Sequence, residues 1–158
     1  MGSVLKLKIF KISTTKNFAK GSVKVVIASS MNLKEIENGS IDVAFANNFF
    51  EHLSKEDVVK TIREVYRVLR CGGGVMILQP NIRFCFKDYW MFFDRITPLD
   101  DRSLPEVLDG NGLKVVECKP RFLPYTTKSK LPKSIFYLNF ILSFHLHGEY
   151  LANKLLFM

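Results

Sequence analysis

Between Val4 and Ile12 the chain reads VLKLKIFKI, a near alternation of apolar and lysine positions that predicts a strand with one basic face. Residues 13–22 are polar and read as a loop. VKVVIA (23–28) is a short continuous β-branched run, the pattern of a strand buried on both faces. LKEIENGS follows with a turn at Asn38-Gly39, and IDVAFAN (41–47) predicts a second buried strand. From Ser54 to Arg70 the period changes to that of a helix: Val58, Val59, Ile62, Val65, Tyr66 and Leu69 share one face. Ser54 is placed to cap this helix with Asp57 three residues on, and Arg67 and Arg70 fall in its last turn, where cations suit the helix dipole. VMILQ (75–79) predicts a strand that breaks at Pro80. Residues 81–100 are aromatic-rich without a clean period. Ser103–Asp109 reads as a short helix with Pro105 in its first turn, and LKVVECK (113–119) as a further strand. Strand, helix, strand, helix, strand is the order of an α/β layered domain with parallel pairing.

Gly72-Gly73-Gly74 lies between the helix and the strand at 75–79. A phosphate-binding glycine loop has the opposite order, strand then loop then helix, because helix N-terminal amides hold the anion. The glycines therefore read as structural, with Gly72 in the left-handed conformation that ends the helix.

Composition adds a basic balance. The 158 residues carry a formal charge of +8, with 47% hydrophobic and 24% charged residues, which is ordinary for a folded domain. The charge is uneven: the first 34 residues hold seven lysines and no acid, and residues 119–133 hold five basic residues and no acid. Such a face suits nucleic acid, an anionic membrane surface or a phosphorylated substrate, and equally a merely soluble, lysine-rich surface. Cys71, Cys85 and Cys118 are odd in number and lack a C-x-x-C pair, so neither a disulfide framework nor a zinc site is expected, and a reducing, cytoplasmic setting is the default. The apolar stretch 135–146 is interrupted by Asn139, Ser143 and His145 and falls short of the ~20 residues that span a bilayer. It reads as a helix packed on the domain, or as a surface helix touching a membrane. No signal peptide is expected.

Read as one piece, GSIDVAFANNFFEHLSKEDVVKTIREVYRVLRCGGGVMILQPN resembles the central half of a class I S-adenosylmethionine-dependent methyltransferase. Asp42 opens the strand, Asn47-Asn48 end it, the trio Glu51-His52-Leu53 follows, and the helix, glycines and Pro80-Asn81 complete the likeness. It continues more weakly through RFLPYT (121–126) and covers about residues 23–132. The resemblance implies a Rossmann-like sheet with helices on both faces and the cofactor, S-adenosylmethionine, at the carboxyl ends of the strands. It implies methyl transfer to a small-molecule or glycan-like acceptor. Asn47, Asn48 and Phe49 match positions lining the cofactor cleft. Ser29, with Ser30 and Met31 beside it, stands where many members carry an acid that reads the adenine amino group. Asn81, Tyr89, Trp90, Arg121 and Tyr125 fall where the acceptor pocket is covered. His52 is a candidate general base, although in the family the Glu51-His52 pair often ties the loop to its neighbouring helix.

The likeness departs from the family at both ends. The signature D-x-G-x-G-x-G does not occur, since before Gly39 the chain has only Gly2 and Gly21. SIFYLNFILSFHLHGEYLANKLLFM shows no alternating strand to close the sheet. The expectation is an incomplete methyltransferase-like domain over 1–132, with a helical or apolar segment, 133–158, packed on it, and poor cofactor binding by the isolated chain. A non-catalytic module that uses its basic surface on nucleic acid or an acidic partner is the alternative. His145, His147 and Glu149 alternate as metal ligands do, but no metal is expected, because no supporting partner is evident. The aromatics Phe84, Phe86, Tyr89, Trp90, Phe92 and Phe93 read as core or lid under a long loop in preference to a stacking surface.

Overall fold

A computed structural model describes residues 28–122 in full and the backbone of 7–10 and 153–157. Five strands form one sheet in the order β1-β2-β3-β5-β4, where β1 is Leu7–Phe10, β2 Ile41–Asn47, β3 Leu69–Gln79, β4 Val115–Lys119 and β5 Asn153–Phe157. β1 pairs antiparallel with β2, and every other pairing is parallel. The expected mixed α/β architecture with parallel strands is present, and β1 falls within the segment 4–12 whose alternation predicted it. The predicted strand 23–28 lies outside the described residues except for Ala28, which is not in a strand.

Helix α1 (Lys55–Val68) joins β2 to β3. Ser54 caps it: its hydroxyl accepts from the Asp57 amide at 3.2 Å. Val58, Ile62, Val65 and Val68 are buried and share one core with Ala44 and Ala46 of β2 and Val75 and Ile77 of β3. Leu104 and Leu108 of α3 (Ser103–Asp109) and Leu113 complete that core. Alternation sends Val43, Phe45, Met76 and Leu78 to the opposite face, and these are buried as well, so the sheet is covered on both sides. Helix α2 (Ile82–Tyr89), which no period announced, follows β3 directly, with Asn81 as its cap.

Two predicted boundaries are corrected. The helix stops at Val68, not Arg70, and Leu69 is already extended, so β3 contains all three glycines. Leu69 is buried as a strand residue, and Arg70 bonds Asp42 of β2 through its Nε instead of resting at a helix end. Between the pairs Ile41↔Leu69 and Val43↔Gly74, β2 takes two steps and β3 takes five. The glycines absorb this bulge. Gly72 has φ +74, the left-handed conformation expected of it, but inside the bulge. At Gly73 an added Cβ would lie 3.0 Å from the carbonyl oxygens of Ile41, Asp42 and Arg70, so only glycine allows the backbones this close.

The C-terminal expectation is also corrected. Of the segment 133–158, residues 153–157 are described, and they form β5, seated between β3 and β4 in the same sheet.

Candidate functional site

The carboxyl ends of β2 and β3 lie side by side, with Asn47 opposite Leu78. Immediately after β2, Asn48 turns the chain in the left-handed region (φ 46), which asparagine tolerates better than most residues, while its amide bonds the Leu78 carbonyl at 2.9 Å. Its Oδ1 is buried and has no hydrogen-bond partner. On β3, Gln79 is 1% exposed, and neither atom of its carboxamide has a partner. Burying such groups unpaired costs about 1–3 kcal/mol each, so these strand ends hold polar capacity that the fold itself does not use.

Phe49 and Phe50 are buried edge to face, with centroids 5.4 Å apart. They drive the turn of 3-10 helix at Phe50–His52 into the domain. Glu51 goes with them. Its backbone carbonyl accepts from Ile96 at 2.8 Å and Thr97 at 3.1 Å, while its carboxyl is buried with Oε2 unpaired. Burial raises the Glu51 pKa, and the nearby Asp94 adds to this, against the opposing pull of its own backbone, His52 and Arg95. His52 places Nδ1 2.9 Å from the Asp94 carbonyl oxygen and Nε2 3.7 Å from Glu51 Oε1. Thr97 donates its hydroxyl to the Leu53 carbonyl at 2.6 Å, and Tyr89 donates to the Thr97 carbonyl at 2.8 Å. The turn after β2 is thus clasped to residues 94–97.

The other candidates separate into spent and exposed groups. Ser29 accepts from the Met31 amide at 3.3 Å, Ser30 bonds Thr61 of α1 at 2.9 Å, and Met31 is exposed. Asn81 is fully buried. Its Oδ1 caps α2 at the Arg83 amide, and its Nδ2 donates to Asp101 at 2.8 Å and to the Pro120 carbonyl at 3.3 Å. Burial alone would raise the Asp101 pKa, but hydrogen bonds from Asn81 and Arg83 outweigh it and hold the carboxyl below its ordinary value. Tyr89 is buried, and its ring and hydroxyl serve the interior. The polar groups of Asn81 and Tyr89 are engaged in the fold's own bonds. Trp90 is exposed, and Arg121 lies over the Phe84 ring at 3.9 Å. Tyr125 lies outside the described residues, as do His145, His147 and Glu149. Among the described residues, no cluster of His, Cys, Asp and Glu could hold a metal ion.

An open hollow of about 560 Å³ is lined by Ile82, Arg83, Phe86, Pro98, Asp100 and Ser103, and none of the candidate residues is among them. The reading of the aromatics as core or lid holds for Tyr89 and is overturned for Phe84, Phe86, Trp90, Phe92 and Phe93, whose rings are exposed. Sequence reasoning also passed over Gln79. Its signal was a polar side chain ending an apolar strand on the edge where α/β sheets bind ligands.

One comparison with known families finds a match. Residues 5–77, just under half of the chain, match the family model described as a methyltransferase domain. No curated protein and no solved structure matches. The match begins earlier than the likeness read from residue 23 onward, takes in the β1 segment and ends at Ile77; beyond that point the likeness rests on the sequence alone. Over β1, β2, α1 and most of β3, the sequence of this chain is similar to a methyltransferase domain.

Proposed function

We propose that the chain is an S-adenosylmethionine-dependent methyltransferase domain acting on a small-molecule or glycan-like acceptor, and that by itself it holds the cofactor weakly. The observation that supports this most is the buried, unpaired polar capacity of Asn48 and Gln79 at adjacent strand ends, within and just beyond the segment that matches the family. The cofactor presents an ammonium group, a carboxylate, ribose hydroxyls and an adenine amine. Asn48 Oδ1 accepts, and the Gln79 carboxamide both accepts and donates, so the residues present fit such a ligand. When bound, the cofactor supplies an activated methyl on a sulfonium centre. The chain's own contribution is to hold that methyl in line with an acceptor and keep water away. Asn47 and Asn48 border the cleft, and Phe49, buried in the core beside them, anchors their turn. His52 serves as a positioning residue, because its Nδ1 is committed to Asp94. Trp90 and Arg121, both exposed, are assigned to the acceptor, and Tyr125, outside the described residues, is assigned with them from the family likeness alone. Weak binding follows from the missing D-x-G-x-G-x-G loop, whose amides would grip the carboxylate.

Calorimetric titration of the chain with S-adenosylmethionine tests this reading. Weak, saturable binding that disappears in Asn48→Ala supports it. No heat at any concentration, or tight binding that Asn48→Ala leaves unchanged, overturns it.

A further inference from the structure

Between Phe84 and Ile96 the chain leaves seven large apolar side chains in solvent. Phe93 is fully exposed, Phe86 and Met91 are about two-thirds exposed, and Phe84, Trp90, Phe92 and Ile96 are open to lesser degrees. Soluble domains seldom leave so much apolar surface on one helix and the turns that follow it. The arrangement is held from beneath: Cys85 and Tyr89 are buried, and Tyr89 bonds Thr97. Arg95 donates to the Tyr89 carbonyl at 2.6 Å and lies over the rings of Tyr89 and Phe92 at 4.5 and 4.6 Å. The apolar tips are therefore presented by an ordered support.

We infer that this patch is a docking surface for an anionic lipid bilayer. Three observations favour lipid. The patch is rich in phenylalanine and contains the chain's one tryptophan, side chains that settle at the boundary between headgroups and acyl chains. Its cations flank the rings in the manner of side chains that lay apolar stems on a surface and keep their charge at the headgroups: Arg121 lies over Phe84 at 3.9 Å and Lys87 is exposed on α2, while Arg83, 5.3 Å from the same ring, is neutralised by its ion pair with Asp101. Arg121 belongs to the acid-free basic run of residues 119–133, in a chain of charge +8, which complements an anionic headgroup layer. The acids within the patch are Asp88 and Asp94, and Asp94 is turned to His52 at 3.4 Å. Among the described residues no helix is long and apolar enough to cross a membrane, so contact through this patch is peripheral.

Trp90 is the only tryptophan of the chain and reports on the patch without a label. The full chain is mixed with vesicles of phosphatidylcholine alone or of phosphatidylcholine with phosphatidylglycerol, and is followed by Trp90 emission and by co-sedimentation. The anionic vesicles are expected to shift the emission to the blue and pellet the protein, with binding that weakens as salt rises. Phe93→Ser and Phe86→Ser, both at exposed positions, are expected to weaken binding about tenfold each while the thermal melt stays unchanged. Three outcomes overturn the inference: no shift or pelleting with anionic vesicles, equal binding to neutral vesicles, or a Trp90 that iodide cannot quench in the free chain, which would mean the chain covers the patch itself.

Discussion

His52 holds Asp94. The imidazole Nδ1 sits 2.9 Å from the Asp94 backbone carbonyl oxygen and 3.4 Å from its carboxylate, and this contact spans 42 positions of sequence to fasten the turn after β2 to the loop after α2. Bonded to a carbonyl oxygen, Nδ1 carries a proton, and through it His52 positions the turn. His52→Ala is expected to lower stability by about 1 kcal/mol in urea melts, through the loss of this hydrogen bond. His52→Asn, which keeps a donor near Asp94, should recover part of it. A loss of methyl transfer with unchanged stability would instead make His52 a catalytic group.

Glu51 carries the pH dependence of this region. Its folded pKa is raised above 4.5, so the folded state holds the proton more tightly than the unfolded chain does. The stability this contributes is full below 4.5 and is lost as pH rises through the folded value. Glu51→Gln preserves the shape of the neutral form and should flatten that decline in melts recorded from pH 4 upward. The same decline in wild type and variant would place the titration elsewhere.

Gln79 separates ligand binding from folding. Replacing its unpaired carboxamide with leucine should stabilise the ligand-free chain by about 1–3 kcal/mol, because two buried polar atoms are removed. If the carboxamide meets the cofactor, Gln79→Leu also weakens the calorimetric titration. A more stable variant with unchanged affinity removes Gln79 from the site.

Gly72 and Gly73 differ in kind, and alanine substitution should show it. Gly72→Ala strains a positive φ and is expected to cost about 1 kcal/mol. Gly73→Ala drives a methyl against three backbone oxygens that cannot swing away, and should cost more, about 1–3 kcal/mol. Equal effects in denaturant melts would contradict the bulge.

Arg67 organises the segment before β2. It bonds Glu64 at 2.9 Å and donates to the carbonyls of Leu33 at 3.0 Å and Ile36 at 3.1 Å, while Glu64 accepts the Leu33 amide at 2.7 Å. The Arg67 hydrogen bond, followed by the Leu33 amide, holds the Glu64 pKa below its ordinary value against the cost of burial. Arg67→Ala is expected to expose residues 33–38 to limited proteolysis and to cost about 1–2 kcal/mol.

These elements differ in how plainly the sequence announces them. β2 and α3 take the bounds read from their residues, Ile41–Asn47 and Ser103–Asp109, and α1 begins where Ser54 and Asp57 place it. Each has a local cause, either a cap or a compact apolar run. The end of α1 was misplaced because Leu69 suits a helix face and a strand start equally, and only the partner strand decides between them. β5 was missed for a related reason: NKLLF becomes a strand through β3 and β4, which are distant in sequence. The place of Asn47, Asn48 and Phe49 at the carboxyl end of β2 is legible in the sequence, whereas the burial of Gln79 and Glu51 depends on packing that no local pattern records. The exposure of the aromatics was not legible either, since phenylalanine and tryptophan ordinarily signal an interior.

The seat of β5 governs the timing of folding. Among the described strands, β4 pairs with β5 alone, and β5 joins it to β3. While a ribosome is still making residues 120–152, β2, α1 and β3 can already assemble, but β4 waits unattached with an open edge beside β3. A nascent chain stalled in that interval offers a vacant strand position, which other chains or a chaperone can fill before Asn153–Phe157 arrives.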